Sequence, residues 1–235
     1  MLTVHDLTVA FGPTTAVRDL TLHAGTGTVT GILGANGAGK TTTLLGIHHR
    51  VPRRTGRITL DDQDVTAYDT TALVRAGIAL CPENRRLFPN LTIEDNLLLG
   101  AYGQGRVTCR RRLERIYGRF PWLHGRRDEA AGRLSGGQQQ TVAIARALMS
   151  EPRLILLDEP SSGLSPVAVD EVGQVLHDIA AEGTTMLLVE QNVRLVETLC
   201  TTAYVLAHGR ITAHGPVAEL LGTDTVSDAY LGTAG

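Results

Sequence analysis

Gly34-Ala35-Asn36-Gly37-Ala38-Gly39-Lys40-Thr41 decides how the rest of this sequence is read. It fits the pattern GxxxxGK followed by Ser or Thr. Thr28–Leu33 before it reads as a mostly buried strand, and helical periodicity begins near Lys40. Glycines at these positions let the backbone curl so that successive N–H groups point inward at an anion. The helix that follows directs the positive end of its dipole at the same place. Lys40 is the lysine such a loop needs to reach the β- and γ-phosphates of a nucleotide, and the Thr41 hydroxyl can ligate Mg²⁺. Thr42 completes the expected binding set. Of 22 basic residues in the chain, Lys40 is the only lysine. Arginine supplies positive charge everywhere else, so a stray lysine is a poor account of position 40.

Working outward, residues 2–11 and 17–22 alternate as strands joined by Gly12-Pro13-Thr14, with short strands at 57–60 and 78–81. From about Pro82 to Ser150 helical periodicity replaces strand signals, which predicts a helical lobe, approximately 84–150, inserted into a single domain spanning 1–235. Strands return at 154–158 and 185–189, with a helix over 166–182 between them. A hairpin, 203–207 and 210–214, turns at His208-Gly209, and a short helix is expected around 217–221. Strands alternating with helices imply an α/β fold with a mostly parallel sheet covered on both faces, with antiparallel additions from the two hairpins.

Leu154-Ile155-Leu156-Leu157-Asp158-Glu159 is an apolar strand ending in two acids. Ligands of parallel sheets bind beyond the carboxyl ends of the strands, where the phosphate loop also lies. Asp158 is therefore placed to hold Mg²⁺ and Glu159 to orient and deprotonate an attacking water. Leu134-Ser135-Gly136-Gly137-Gln138 opens another helix. Taken alone it reads first as an N-cap, and otherwise as a second anion cradle. With one cradle already present, a second in the inserted lobe suits a partner's nucleotide.

In this order, the loop at 34–41, the signature 134–138, the strand 154–159 and the D-loop Ser161–Pro166 resemble the ATP-binding subunits of ABC transporters, over essentially the whole chain. The resemblance implies a P-loop NTPase core with an N-terminal antiparallel β-subdomain and an inserted helical subdomain. It implies ATP and Mg²⁺ as cofactors. It also implies a head-to-tail dimer with ATP held between one subunit's P-loop and the signature of the other, where Ser135, Gly136, Gly137 and Gln138 would serve. Phe11 falls where family members stack an aromatic ring on adenine; otherwise it is a strand-end core residue. Further stretches, Pro82–Pro89 with Leu91-Thr92, Val189-Glu190-Gln191-Asn192-Val193 and Tyr230-Leu231-Gly232, resemble the branched-chain amino acid importer branch, and importers of amides or urea share similar stretches. That likeness implies transmembrane permease subunits, a second ABC ATPase subunit and, indirectly, a periplasmic or extracellular solute-binding protein as partners. It places the chain at the cytoplasmic face of a bacterial membrane.

Three positions depart from the broad family pattern. Glu83 stands where a glutamine is usual and adds to the expected metal site. Gln191 stands at the usual switch histidine, and Ser165 at a common aspartate. Glutamine cannot change charge near neutral pH, so Gln191 would orient phosphate and water by hydrogen bonds alone.

Composition closes off other classes. A net charge of −2 and a pI near 6.4 give no bulk attraction to nucleic acid. Three scattered cysteines support neither a zinc site nor a disulfide framework, and suit a reducing compartment. No signal peptide or bilayer-length apolar run is visible. Arg111, Arg115 and Arg119 recur every four residues and read as a solvated helix face, or alternatively as a partner or lipid-headgroup contact. His48-His49 falls at the end of the P-loop helix, where protonation would favour the dipole. Trp122 is expected inside the helical lobe.

Overall fold

The computed structural model describes residues 1–221. The Tyr230-Leu231-Gly232 stretch lies outside these described residues. Alternation sets the first hairpin, β1 (Leu2–Phe11) with β2 (Thr14–Ala24), both longer or as long as the pattern predicts. β4 (Arg53–Leu60) and β5 (Gln63–Asp64) extend it into an antiparallel sheet ordered β2-β1-β4-β5. A second sheet is ordered β10-β9-β3-β8-β7-β6, from β3 (Val29–Leu33), β6 (Ile78–Cys81), β7 (Leu154–Asp158), β8 (Thr185–Glu190), β9 (Thr202–Ala207) and β10 (Arg210–Pro216). Its strands pair in parallel except for the antiparallel β9–β10 hairpin.

Along β7, Leu154 and Leu156 enter one hydrophobic cluster while Ile155 and Leu157 enter another; β8 divides the same way. The central strands are apolar throughout because both faces are covered. On one face α1 (Lys40–Ile47) sends Leu44 and Ile47 into a core shared with β1, β2 and β4. On the other lie α7 (Pro166–Ala181), α8 (Val193–Leu199) and α9 (Val217–Leu220), together with the helices that run between β6 and β7. These are α3 (Ile93–Leu99), α4 (Arg106–Arg119), α5 (Pro121–Gly125) and α6 (Gly136–Leu148), with a 3-10 turn at Ala131–Arg133. Trp122 is half-buried there beneath the Arg126 guanidinium.

Three local expectations need correction. Two short helices, α2 (Thr70–Ala76) and α8, stand where the sequence pattern gave none; α2 starts on the Asp69 carboxylate cap and stops at Gly77. The run after Pro82 is a loop up to Thr92, with left-handed backbone at Asn84, Arg85 and Arg86. The buried Asn96 amide holds this loop, accepting from the Phe88 N–H and donating to the carbonyls of Phe88 and Thr92. Finally, the arginine series is solvated at Arg111 and Arg115 but is also paired. Arg111, Arg112 and Arg115 converge on Glu151, Arg112 also donates to the Met149 carbonyl at 2.9 Å, and Arg119 meets Glu182. The Glu151 cluster ties α4 to the chain just after α6 and Arg119 ties it to the end of α7, contacts invisible from helix periodicity.

Candidate functional site

The 34–41 loop joins β3 to α1 and is held from behind by the β9–β10 turn. The Gly209 amide donates to the Ala38 carbonyl at 2.9 Å, and Arg18 donates to the Gly209 carbonyl at 2.8 Å. A Cβ at Gly34 would lie 2.3 Å from the Leu206 carbonyl oxygen, so this position admits no side chain. Gly39, at φ 105°, is the N-cap of α1 and offers no side-chain cap to its first turn. The helix start is thus left without an internal anion substitute. Lys40 is only 4% exposed. Its ammonium donates to the carbonyls of Gly34 at 2.8 Å and Ala35 at 3.1 Å and pairs with Glu159 Oε1 at 2.9 Å.

The carboxyl end of β7 faces this loop. Thr41 Oγ1 donates to Asp158 Oδ1 at 2.8 Å. Glu159 takes a left-handed backbone with φ 44°, its N–H bonded to the Val189 carbonyl at 2.9 Å. Such a backbone is disfavoured for a side chain larger than glycine; here the turn brings the carboxylate to Lys40. Burial pushes the Asp158 carboxyl above the usual range, the Thr41 hydrogen bond opposes this, and the charges of Glu83 and Glu159 push it further up. Glu83, Asp158 and Glu159 therefore crowd negative charge around one ammonium. That arrangement fits a hard divalent cation with oxygen ligands. Among the described residues no group of three or more His, Cys, Asp or Glu side chains could hold a metal by itself. The donor set of Thr41, Asp158 and Glu83 suits Mg²⁺, which binds through one or two carboxylates plus substrate phosphates.

A cleft of about 510 Å³ opens over these groups, lined by Asn36, Gly37, Gly39, Lys40, Thr41 and Thr42, with Glu83 and Glu159 on the opposite side. Gly34, Ala35 and Ala38 form the back of the loop rather than the cleft wall. Thr14, Thr15, Ala16, His208 and Gly209 complete the lining and were not anticipated. They belong to the start of β2 and the β9–β10 turn, and no motif marks either as a neighbour of a distant loop. Phe11 sits at the β1 end, 42% exposed and outside the lining. Gln191 is exposed at the turn after β8 and is also outside it.

The signature residues are elsewhere. Ser135 caps α6: its Oγ accepts from the Gln138 N–H at 3.3 Å, while Gln138 Oε1 accepts from the Ser135 N–H at 3.2 Å. Gly136 packs near Leu164 and Gly137 near Ala168, so the motif adjoins the D-loop and the start of α7. Arg146 on the same helix donates to the carbonyls of Arg85 and Arg86 at 2.7 and 2.8 Å. The signature helix is thereby joined to the loop that carries Glu83.

The expectation for His48-His49 is reversed. His48 is buried at the C-cap of α1, and burial, with repulsion from Arg50 and His49, pushes its imidazole down to about 4. Burial also lowers His49. Desolvation outweighs the dipole here. Cys81 and Cys200 are buried with thiols pushed up to about 12, which fits inert packing.

A nucleotide-binding ATPase cassette is the class that this fold and cleft define. The chain belongs to the ABC transporter family, whose description matches residues 17–162. It is an ATPase that couples hydrolysis to transport. It is 37% identical over 232 residues to the high-affinity branched-chain amino acid transport ATP-binding protein BraG of Pseudomonas aeruginosa, covering 99% of this chain and 100% of that protein. It is 34% identical to the lipopolysaccharide export system ATP-binding protein LptB of Escherichia coli, covering 98% of this chain and 97% of that protein. Among solved structures it resembles the ADP conformation of MJ1267, an ATP-binding cassette of an ABC transporter, with TM-score 0.87, 27% identity and coverage of 99% and 98%.

Proposed function

We propose that this chain is the ATP-hydrolysing subunit of an importer for branched-chain amino acids. The observation that carries the substrate is full-length similarity to BraG, supported by the Val189–Val193 stretch. In this reading the β- and γ-phosphates take Lys40 from Glu159, the α1 start and loop amides cradle them, and Thr41, Asp158 and Glu83 hold Mg²⁺. Bound there, Mg²⁺ supplies charge neutralisation of the phosphate oxygens. Released from Lys40, Glu159 orients the attacking water and accepts its proton, and Gln191 hydrogen-bonds the γ-phosphate. Ser135–Gln138 of a second ATPase subunit, a copy or a related chain, closes over the nucleotide. Phe11, exposed at the β1 end, stacks on adenine.

A transmembrane permease couples through the segment 83–90, where Phe88 is half-exposed. No helix among the described residues is long and apolar enough to cross a membrane, which agrees with peripheral attachment. The helical lobe, about 84–150, moves as the dimer closes, and hydrolysis reopens it. A solute-binding protein delivers the substrate to the permeases. Similarity to LptB supports a second reading, an exporter ATPase. Reconstitution with the permeases encoded beside it decides between them. ATP-dependent leucine uptake is expected; transport of a lipid substrate without leucine uptake rules out the importer.

A further inference from the structure

Glu190 closes β8 and is 1% exposed, yet among the described residues it forms no ion pair with a basic side chain. Its two oxygens instead accept four hydrogen bonds. The Ser161 N–H reaches Oε1 at 2.9 Å and the Ser161 hydroxyl reaches Oε2 at 2.9 Å. The N–H groups of Gln191 and Asn192 both reach Oε2 at 3.1 Å. A buried carboxylate is costly, and the rest of β8 is apolar from Met186 to Val189. Stability alone would be served by another apolar side chain. What only a carboxylate can do here is accept all four, with Oε2 bridging the two turns and Oε1 holding the Ser161 N–H as well.

The two sides are the two turns that carry the proposed chemistry. Ser161 follows Glu159 by two residues, and the same turn is closed by the Ser162 N–H on the Glu159 carbonyl at 3.0 Å. The Glu159 N–H is bonded to Val189, the residue before Glu190. The 159–162 turn is therefore clipped to the end of β8 at two points, one of them this carboxylate. We propose that Glu190 is a positioning residue for hydrolysis: it fixes the turn bearing Glu159 against the turn bearing Gln191, so that base and phosphate-facing amide keep one mutual register. The proposal rests on the roles assigned above to Glu159 and Gln191.

The assembled transporter tests it. In E190Q the amide nitrogen must face at least one N–H donor, that of Ser161 in place of Oε1 or those of Gln191 and Asn192 in place of Oε2, and that part of the junction is lost. The expected result is a fall in kcat of about tenfold to a hundredfold, the scale of a small misplacement of reacting groups, with KM for ATP changed by less than about threefold. S161A removes one bond from the opposite partner and should lower kcat by about fivefold. In the double variant the S161A effect should largely vanish, because both act on one junction. Unchanged kcat in E190Q, or kcat and KM worsening together with a lowered melting temperature, overturns the proposal. If E190Q does not assemble, S161A decides, and unchanged kcat there overturns it. E159Q and Q191A run in parallel: full turnover in both sinks the underlying site roles, whereas losses in both with normal E190Q sink the positioning role alone.

Discussion

Two helices in this molecule begin on glycine-rich turns, and they begin differently. α1 starts at Gly39 with no side-chain cap, beside a buried ammonium and a cleft lined from five parts of the chain. α6 starts at Ser135 with a complete capping box and none of its signature residues in that cleft. An uncapped helix start at the end of a parallel strand keeps its positive end for a ligand. A capped one is stable by itself and can wait for its ligand to come with another molecule. Under the proposed function the difference means that half of the nucleotide site is built within this chain, while the other half is complete as structure before it has a function.

Substitutions can break this comparison. The largest effect is expected from E159Q, which should lower ATP turnover by about 10²–10⁴-fold, the usual range for losing a general base. ATP binding should persist and the dimer should accumulate closed, as read by size-exclusion chromatography with ATP. Normal phosphate release removes Glu159 from its role. K40A should cost about 10²–10³-fold in turnover, the scale of a lost charge-stabilising donor, and should weaken nucleotide binding as well. S135A sharpens the contrast. It should cost about 1 kcal/mol of folding stability through the lost cap and abolish ATP-driven dimerisation, while nucleotide binding to the monomer stays normal. Weakened binding in the isolated S135A subunit would mean that both helix starts serve the same chain's nucleotide.

The remaining effect leaves turnover aside and concerns stability at the far end of α1. The buried His48 resists, down to about pH 4, a proton that the unfolded chain accepts near 6.5. Its contribution is therefore fully present above pH 6.5 and is lost as pH falls toward 4, about 3 kcal/mol in all. His49, shifted in the same direction, adds to it. Urea unfolding at pH 7 and pH 5 should show this loss, and H48L should flatten it. An unchanged slope in H48L assigns the acid sensitivity elsewhere.

Much of this was legible without coordinates. The strand-loop-helix around Lys40, the acids ending β7 and the division into sheet and helices are written in local patterns. Helices α2 and α8, at seven residues each, are too short to display two turns of periodicity. Glu190 appears in the sequence only as part of the Val189–Val193 stretch, and its clasp was not legible because its partner Ser161 lies 29 residues away. The pairing of Arg111, Arg112 and Arg115 was not legible because Glu151, their shared acceptor, belongs to a loop beyond α6.

The residue order thus determined by itself what depends on neighbours along the chain: the curl of a glycine loop, a helix cap, apolar strands buried on both faces, and a lone ammonium where phosphates would bind. Tertiary structure alone decided which turns meet. Glu83, the Asp158-Glu159 pair and Glu190 lie at the ends of three strands, and only the parallel register of β6, β7 and β8 brings those ends to one edge. Hydrogen bonds and charges act over a few ångströms of space, and distance along the sequence does not measure that.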